Sequence, residues 1–199
     1  MKRPAVIVLL LILSLPLKGE GIRRVSYSLE WGFSPALYSS VHANYICSLG
    51  YRVNESEKGF AFSPNAFCLA GIGFNHGEKL NISIYSGGRG VKEERVFPII
   101  LGVSYFAGGM NDDGIFLRLC AGVAVHSFQQ GLAKTASIGP GYRLKLTGKM
   151  SLNAFFSIDG MVDKPEVIDK DSGEVIPERD VRSSGSTILG ASVGIGISF

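Results

Sequence analysis

S-T-I-L-G-A-S-V-G-I-G-I-S-F, residues 186 to 199, is the last stretch of the chain. Taken alternately, Leu189, Ala191, Val193, Ile195, Ile197 and Phe199 fall on one face. Gly190, Ser192, Gly194, Gly196 and Ser198 fall on the other. Side chains of a strand point to opposite faces with period two, so one face is wholly apolar and the other small and polar. No charge interrupts either. Such a strand fits hydrocarbon on one side and a crowded polar interior on the other, as in the wall of a transmembrane β-barrel. An amphipathic strand of a soluble, exported β-sandwich is the competing reading. It is weaker because the stripe is long and the rest of the chain repeats it.

The chain has 199 residues, enough for one domain, and a formal net charge of +3, which argues against a nucleic-acid binder. Only one apolar run is long enough to weigh as a membrane helix. It runs from Pro4 to Leu17, behind Met1-Lys2-Arg3 and ahead of Lys18-Gly19-Glu20-Gly21. A basic start, a short apolar core and small residues describe a secretory signal peptide over 1–21, leaving 22–199 as the barrel domain. A retained anchor is the alternative, but the core is short of the ~20 apolar residues a spanning helix needs. Cys47, Cys68 and Cys120 lack metal-ligand spacing and read as small wall residues. No metal or cofactor is expected.

Between the leader and the closing strand the pattern predicts an all-β fold, a closed antiparallel up-and-down transmembrane β-barrel of about eight strands. The expected strands are Val25 to Phe33, Val41 to Val53, Ala66 to Asn75, Val96 to Phe106, Ile115 to Ser127, Lys134 to Leu146, Ser151 to Val162 and the last. In the second, Val41, Ala43, Tyr45, Cys47 and Leu49 are expected outward, with His42, Asn44 and Arg52 inward. Asn54 to Pro64 reads as a turn with an insertion, Gly77 to Arg95 as a long loop with an extended piece near Asn81 to Tyr85, and Lys164 to Gly185 as a long, charged, solvated loop. Pro98 and Pro140 interrupt the pattern, and Pro98 is placed near the outer rim because it removes a ladder donor.

Three stretches carry a resemblance: Pro64-Asn65-Ala66-Phe67-Cys68-Leu69-Ala70-Gly71-Ile72-Gly73-Phe74, Ser137-Ile138-Gly139-Pro140-Gly141-Tyr142-Arg143, and Gly194-Ile195-Gly196-Ile197-Ser198-Phe199. With the leader, they make the chain resemble the small outer-membrane β-barrel proteins of Gram-negative bacteria, of the "outer membrane protein beta-barrel" type. The resemblance implies residence in the cell outer membrane, contact with its lipid and lipopolysaccharide, and a monomer. It also implies an assembly signal at Tyr142, Val193, Ile195, Ile197 and Phe199, read by the barrel assembly machinery. It is specific for architecture and weak for function.

The polar residues bear on function. Glu30, Arg52, Arg118, Arg143, Lys145 and Asp159 face the lumen in the expected register. In an interior too narrow for bulk water such charges should pair, giving a network that fills and seals the barrel. That supports a structural or surface-interaction protein. A narrow gated channel for small solutes is the alternative, and a lipid-modifying enzyme on the barrel wall ranks third. Catalysis is not expected: His126 and Ser127 are adjacent and so point to opposite faces, His42 has Asn44 two positions away, and His76 sits in a turn.

Overall fold

The computed structural model describes residues 24–91, 94–126, 132–147, 149–169 and 172–199. The expected leader over 1–21 and Ser127 lie outside them. The described strands are β1 Val25–Phe33, β2 Ala36–Ile46, β3 Arg52–Ser63, β4 Ala66–His76, β5 Leu80–Val91, β6 Glu94–Phe106, β7 Gly114–His126, β8 Leu132–Thr147, β9 Met150–Asp163 and β10 Val181–Ser198. Every pairing is antiparallel. β1 pairs with both β4 and β10, which closes a ring of β1 and β4 to β10, eight strands in all. Closure removes the free edge that hydrocarbon would not tolerate.

β2 and β3 form an arm that continues the wall beyond the ring. β2 pairs with Val181 to Gly190 of β10, and β3 pairs with β2. β1 and β2 are one stave bent at Ser34-Pro35, and β3 and β4 are one stave bent at Pro64-Asn65. Proline lacks the N–H that would carry the ladder through the bend. The two bends are tied together, since the Ser34 N–H donates to the Asn65 carbonyl at 2.7 Å. The end holding Val25 and Ser198 is called here the terminus end, and the other the loop end.

The strand faces agree with the sequence pattern from β6 onward and in β1 and β4. Leu119 is 55 % exposed while the side chain of its neighbour Arg118 is 13 % exposed, which fixes the register of β7. An apolar belt surrounds the ring, with Leu29, Ile72, Ile84, Leu101, Leu117 and Ile158 among its exposed residues. Water would not leave such a belt bare, whereas hydrocarbon matches it.

Four expectations need correction. The expected strand Val41 to Val53 is the end of β2, a turn at 47–51 and the start of β3. Gly50 has φ 82°, and the Cys47 N–H donates to the Tyr51 carbonyl at 3.0 Å. Tyr45 and Cys47 are buried, not outward, because the shift between Ala36 and Tyr38 reverses the alternation set by β1. Asn54 to Pro64 is not a turn but most of β3. Gly77 to Arg95 is not a long loop: a turn through Gly77, with φ 63°, leads into β5. The outward Ser86, Gly88 and Gly90 of β5 hid the apolar alternation. The fourth concerns 164–180. Val167 and Ile176 pack with Tyr45 and Cys47 on the inner face of the arm. The carboxylate of Asp169 accepts the backbone N–H and hydroxyl of Ser48 at 2.9 and 2.8 Å. The connection is thus anchored to the inner face and tip of the arm.

Candidate functional site

The candidate site is the lumen. Small inward residues make room for large ones reaching across from other strands. The rings of Phe67 and Phe155 lie against Gly194, so a Cβ there would come within 2.8 and 2.6 Å of them. The Tyr85 ring covers Gly71 and Gly102, and Phe116 occupies the space a Cβ on Gly141 would need. An inner face of Gly and Ser is therefore a set of sockets for aromatic side chains, and an eight-stranded barrel is narrow enough for these to fill it.

Two ion pairs occupy the middle. Arg118 on β7 makes a two-pronged pair with Glu30 on β1, Nη1 to Oε2 and Nη2 to Oε1, both 2.8 Å. Its guanidinium carbon lies 4.7 Å from the Phe155 ring centre, 5.3 Å from that of Tyr85 and 5.5 Å from that of Phe116. Glu30 is 2 % exposed, so its carboxylate is buried within the lumen. Such pairs match the fork of guanidinium to the two carboxylate oxygens, and the ring faces stabilise the cation further. Closer to the loop end, Arg89 on β5 donates to Asp159 Oδ2 on β9 at 2.9 Å. Ser157 donates to Asp159 Oδ1 at 3.0 Å, and Ser192 donates to Oδ2.

Arg143 sits nearer the terminus end. It donates through Nε to Asn153 at 2.9 Å and through Nη1 to the Met110 carbonyl at 3.1 Å, with its guanidinium carbon 4.1 Å above the Phe106 ring. Met110 packs with Phe106 and Phe116, so the β6–β7 turn closes that mouth. At the loop end Val96, Ala124, Ala133 and Met161 form an apolar layer. Above it His126 Nε2 lies 2.7 Å from Asp163 Oδ2. Two small cavities flank the Arg89–Asp159 pair. One of about 50 Å³ lies between the two ion pairs, and one of about 30 Å³ lies on the loop-end side of Arg89 and Asp159, which line both.

Of the lumen charges expected from sequence, the structure brings Glu30 and Arg118 together and places Asp159 and Arg143 inside with other partners. Arg52 and Lys145 do not join them. Arg52 is exposed at the start of the arm, because the strand expected to point it inward does not exist. Lys145 has inward parity but lies where β8 leaves the lumen, and its Nζ donates to the Asn111 carbonyl of the β6–β7 turn at 2.6 Å. Sequence reasoning missed Arg89, which fell in the supposed loop. The signal for it was the alternation of Asn81, Ser83 and Tyr85 against Leu80, Ile82 and Ile84. Of the residues expected in the assembly signal, Tyr142, Val193, Ile195 and Phe199 are exposed on the outer face, and Ile197 is half-buried on the same face.

No protein-family model matches the chain, and no curated sequence matches it. Among solved structures, it is similar to the outer membrane protein OprG of Pseudomonas aeruginosa, at 10 % identity and TM-score 0.50, over 90 % of this chain and 98 % of that one. Neisserial surface protein A aligns at 14 % identity and TM-score 0.46, over 90 % and 100 % of the two chains. AlkL, solved in lipid bilayers, aligns at 12 % identity and TM-score 0.44, over 92 % and 94 %. At such identities the likeness bears on the fold alone. The ring closure, the apolar belt and the similarity to OprG identify the architecture as a closed eight-stranded antiparallel barrel of the small outer-membrane type.

Proposed function

We propose that this protein is an integral outer-membrane barrel with a structural or surface-interaction role, and that its lumen is a plug and not a pathway. The observation that carries this is the filled lumen: aromatic side chains seated on glycines, two crossing ion pairs, the β6–β7 turn packed over the terminus end and an apolar layer across the loop end. The two cavities beside Arg89 and Asp159 have room for only a few waters. Purified, heat-modifiable protein in planar bilayers is expected to show no steady single-channel conductance. A reproducible open level would overturn the plug.

One observation favours a gated path as the second reading. Arg89 and Asp159 form the partition between the two cavities. If that partition opens, Arg89→Ala/Asp159→Ala should conduct where the parent does not. A silent double variant would count against gating.

Assembly in the outer membrane is part of the same proposal. Phe199 ends the outward stripe of β10, and its backbone is locked to β1: the Phe199 N–H donates to the Tyr27 carbonyl at 2.9 Å, and Tyr27 donates back at 3.2 Å. Deleting Phe199 removes this last rung of the closing seam as well as the terminal aromatic. Reduced outer-membrane levels with periplasmic degradation are expected. Parental levels of the truncated chain, measured by fractionation, would show the ending to be dispensable.

A further inference from the structure

The outer wall is asymmetric in charge. At the terminus end the outward strand positions are uncharged, as at Tyr27, Tyr105, Ile115, Leu146 and Phe199. At the loop end the apolar belt is bounded by cations. One row of paired residues runs across five strands of the outer face: Lys134 on β8 opposite Val162, Val162 opposite Thr187, Thr187 opposite Ser40, and Ser40 opposite Lys58 on β3. Lys134 and Lys58 thus lie in one row, roughly 19 Å apart at the usual ~4.8 Å between strands. Lys164 is exposed two residues beyond outward Val162, diagonal to Lys134, at a spacing of about 7–8 Å between such backbone positions. His42 lies between, exposed, with its ring against Gly185.

Among the described residues no ion-pair partner accompanies Lys58, Lys134 or Lys164. The nearby acids face elsewhere. Glu55 accepts the Tyr45 hydroxyl at 3.1 Å on the inner face of the arm, and Asp163 pairs with His126 inside the mouth. Glu57 shares the inner-face parity of Glu55, and only Glu166, beyond Pro165, lies close in sequence to Lys164. Lys134 and Lys164, at that diagonal spacing, repel unless an anion lies between them. Below the row the wall is apolar, with Ile138, Ile158 and Leu189 exposed.

We propose that this row binds the phosphate groups of an outer-leaflet lipid of the lipopolysaccharide class, whose acyl chains lie on the belt beneath it. The separated lysines suit a headgroup with more than one phosphate, and the Thr187 and Ser40 hydroxyls between them can donate to it. The lysine stems lie along the apolar wall while the ammonium groups reach the headgroup level. Continuity with the belt selects a lipid over free phosphate. It also places the loop end outside the cell. The inference rests on the membrane-barrel reading.

The test is retention of bisphosphoryl lipid A by the detergent-purified full chain, read by native mass spectrometry beside phosphatidylcholine. The parent should hold the lipid A in preference. Lys58→Gln/Lys134→Gln/Lys164→Gln should bind it about a hundredfold more weakly, at about fivefold for each lysine near an anionic surface. Lys149→Gln, in the turn at the terminus end, should leave binding unchanged. Folding is checked separately by heat-modifiable migration. A folded triple variant that retains the lipid as the parent does would overturn the proposal, as would equal retention of phosphatidylcholine by the parent. A parent that shows no heat-modifiable form would instead overturn the barrel reading, and this proposal with it.

Discussion

Arg118→Leu is expected to lower the stability of the barrel by about 3–5 kcal/mol, the range for removing one partner of a buried ion pair. Glu30 would stay among Phe67, Phe155, Tyr85 and Ile100 with no cation beside it. Most of this cost is the stranded carboxylate, not the lost contact. Arg118→Leu/Glu30→Gln should therefore recover most of the loss, although it contains one more change. The chain's one tryptophan, Trp31, lies on the outer wall next to Glu30 in sequence and reports lipid contact by its fluorescence. Urea unfolding from lipid vesicles, followed at that residue, measures both variants. A double variant no more stable than the single one would show that the pair acts through packing, not charge.

Leu119→Lys should fail in a different way. Leu119 is the next residue but faces the belt, opposite Val103 on β6 and Ile138 on β8. A lysine there meets hydrocarbon at a cost of about 2–4 kcal/mol near the bilayer midplane, falling toward the interfaces. A second change in the lumen cannot offset it, so Glu30→Gln should not rescue Leu119→Lys. The readout is the fraction of protein that becomes heat-modifiable on refolding into vesicles. If Leu119→Lys folded normally and Arg118→Leu failed to insert, the register of β7 would be displaced by one residue, since a single step exchanges the faces. If both behaved as ordinary surface changes, neither residue would lie in a membrane wall.

Strands with a strong apolar stripe were legible because the alternation has only one period to match and hydrocarbon admits no charge on that side. That covers β1, β4 and β6 to β10, with Glu30, Arg118 and Asp159 correctly assigned to the inner face. β3 was not legible. Its outer face carries Arg52, Asn54, Ser56 and Lys58 before Phe60 and Phe62, because it rises beyond the belt into water and headgroups. β5 was hidden by small residues on its outer face. β2 misled for another reason: a proline bend and a one-residue shift reversed its faces, and alternation alone cannot report where a phase change occurs.

The sequence by itself determined the fold class, the ring of about eight strands and the separation of an apolar wall from a polar lumen. These follow from local periodicity, which every strand carries without reference to its neighbours. Only the tertiary structure decided the partners. Glu30 meets Arg118 and Asp159 meets Arg89, residues 88 and 70 positions away, because ring closure and strand stagger set which side chains share a level. The same closure turned the charged 164–180 connection into a cap on the arm and aligned Lys58 with Lys134 across five strands. No local pattern encodes such a coincidence, because it depends on how far each strand slides against the next.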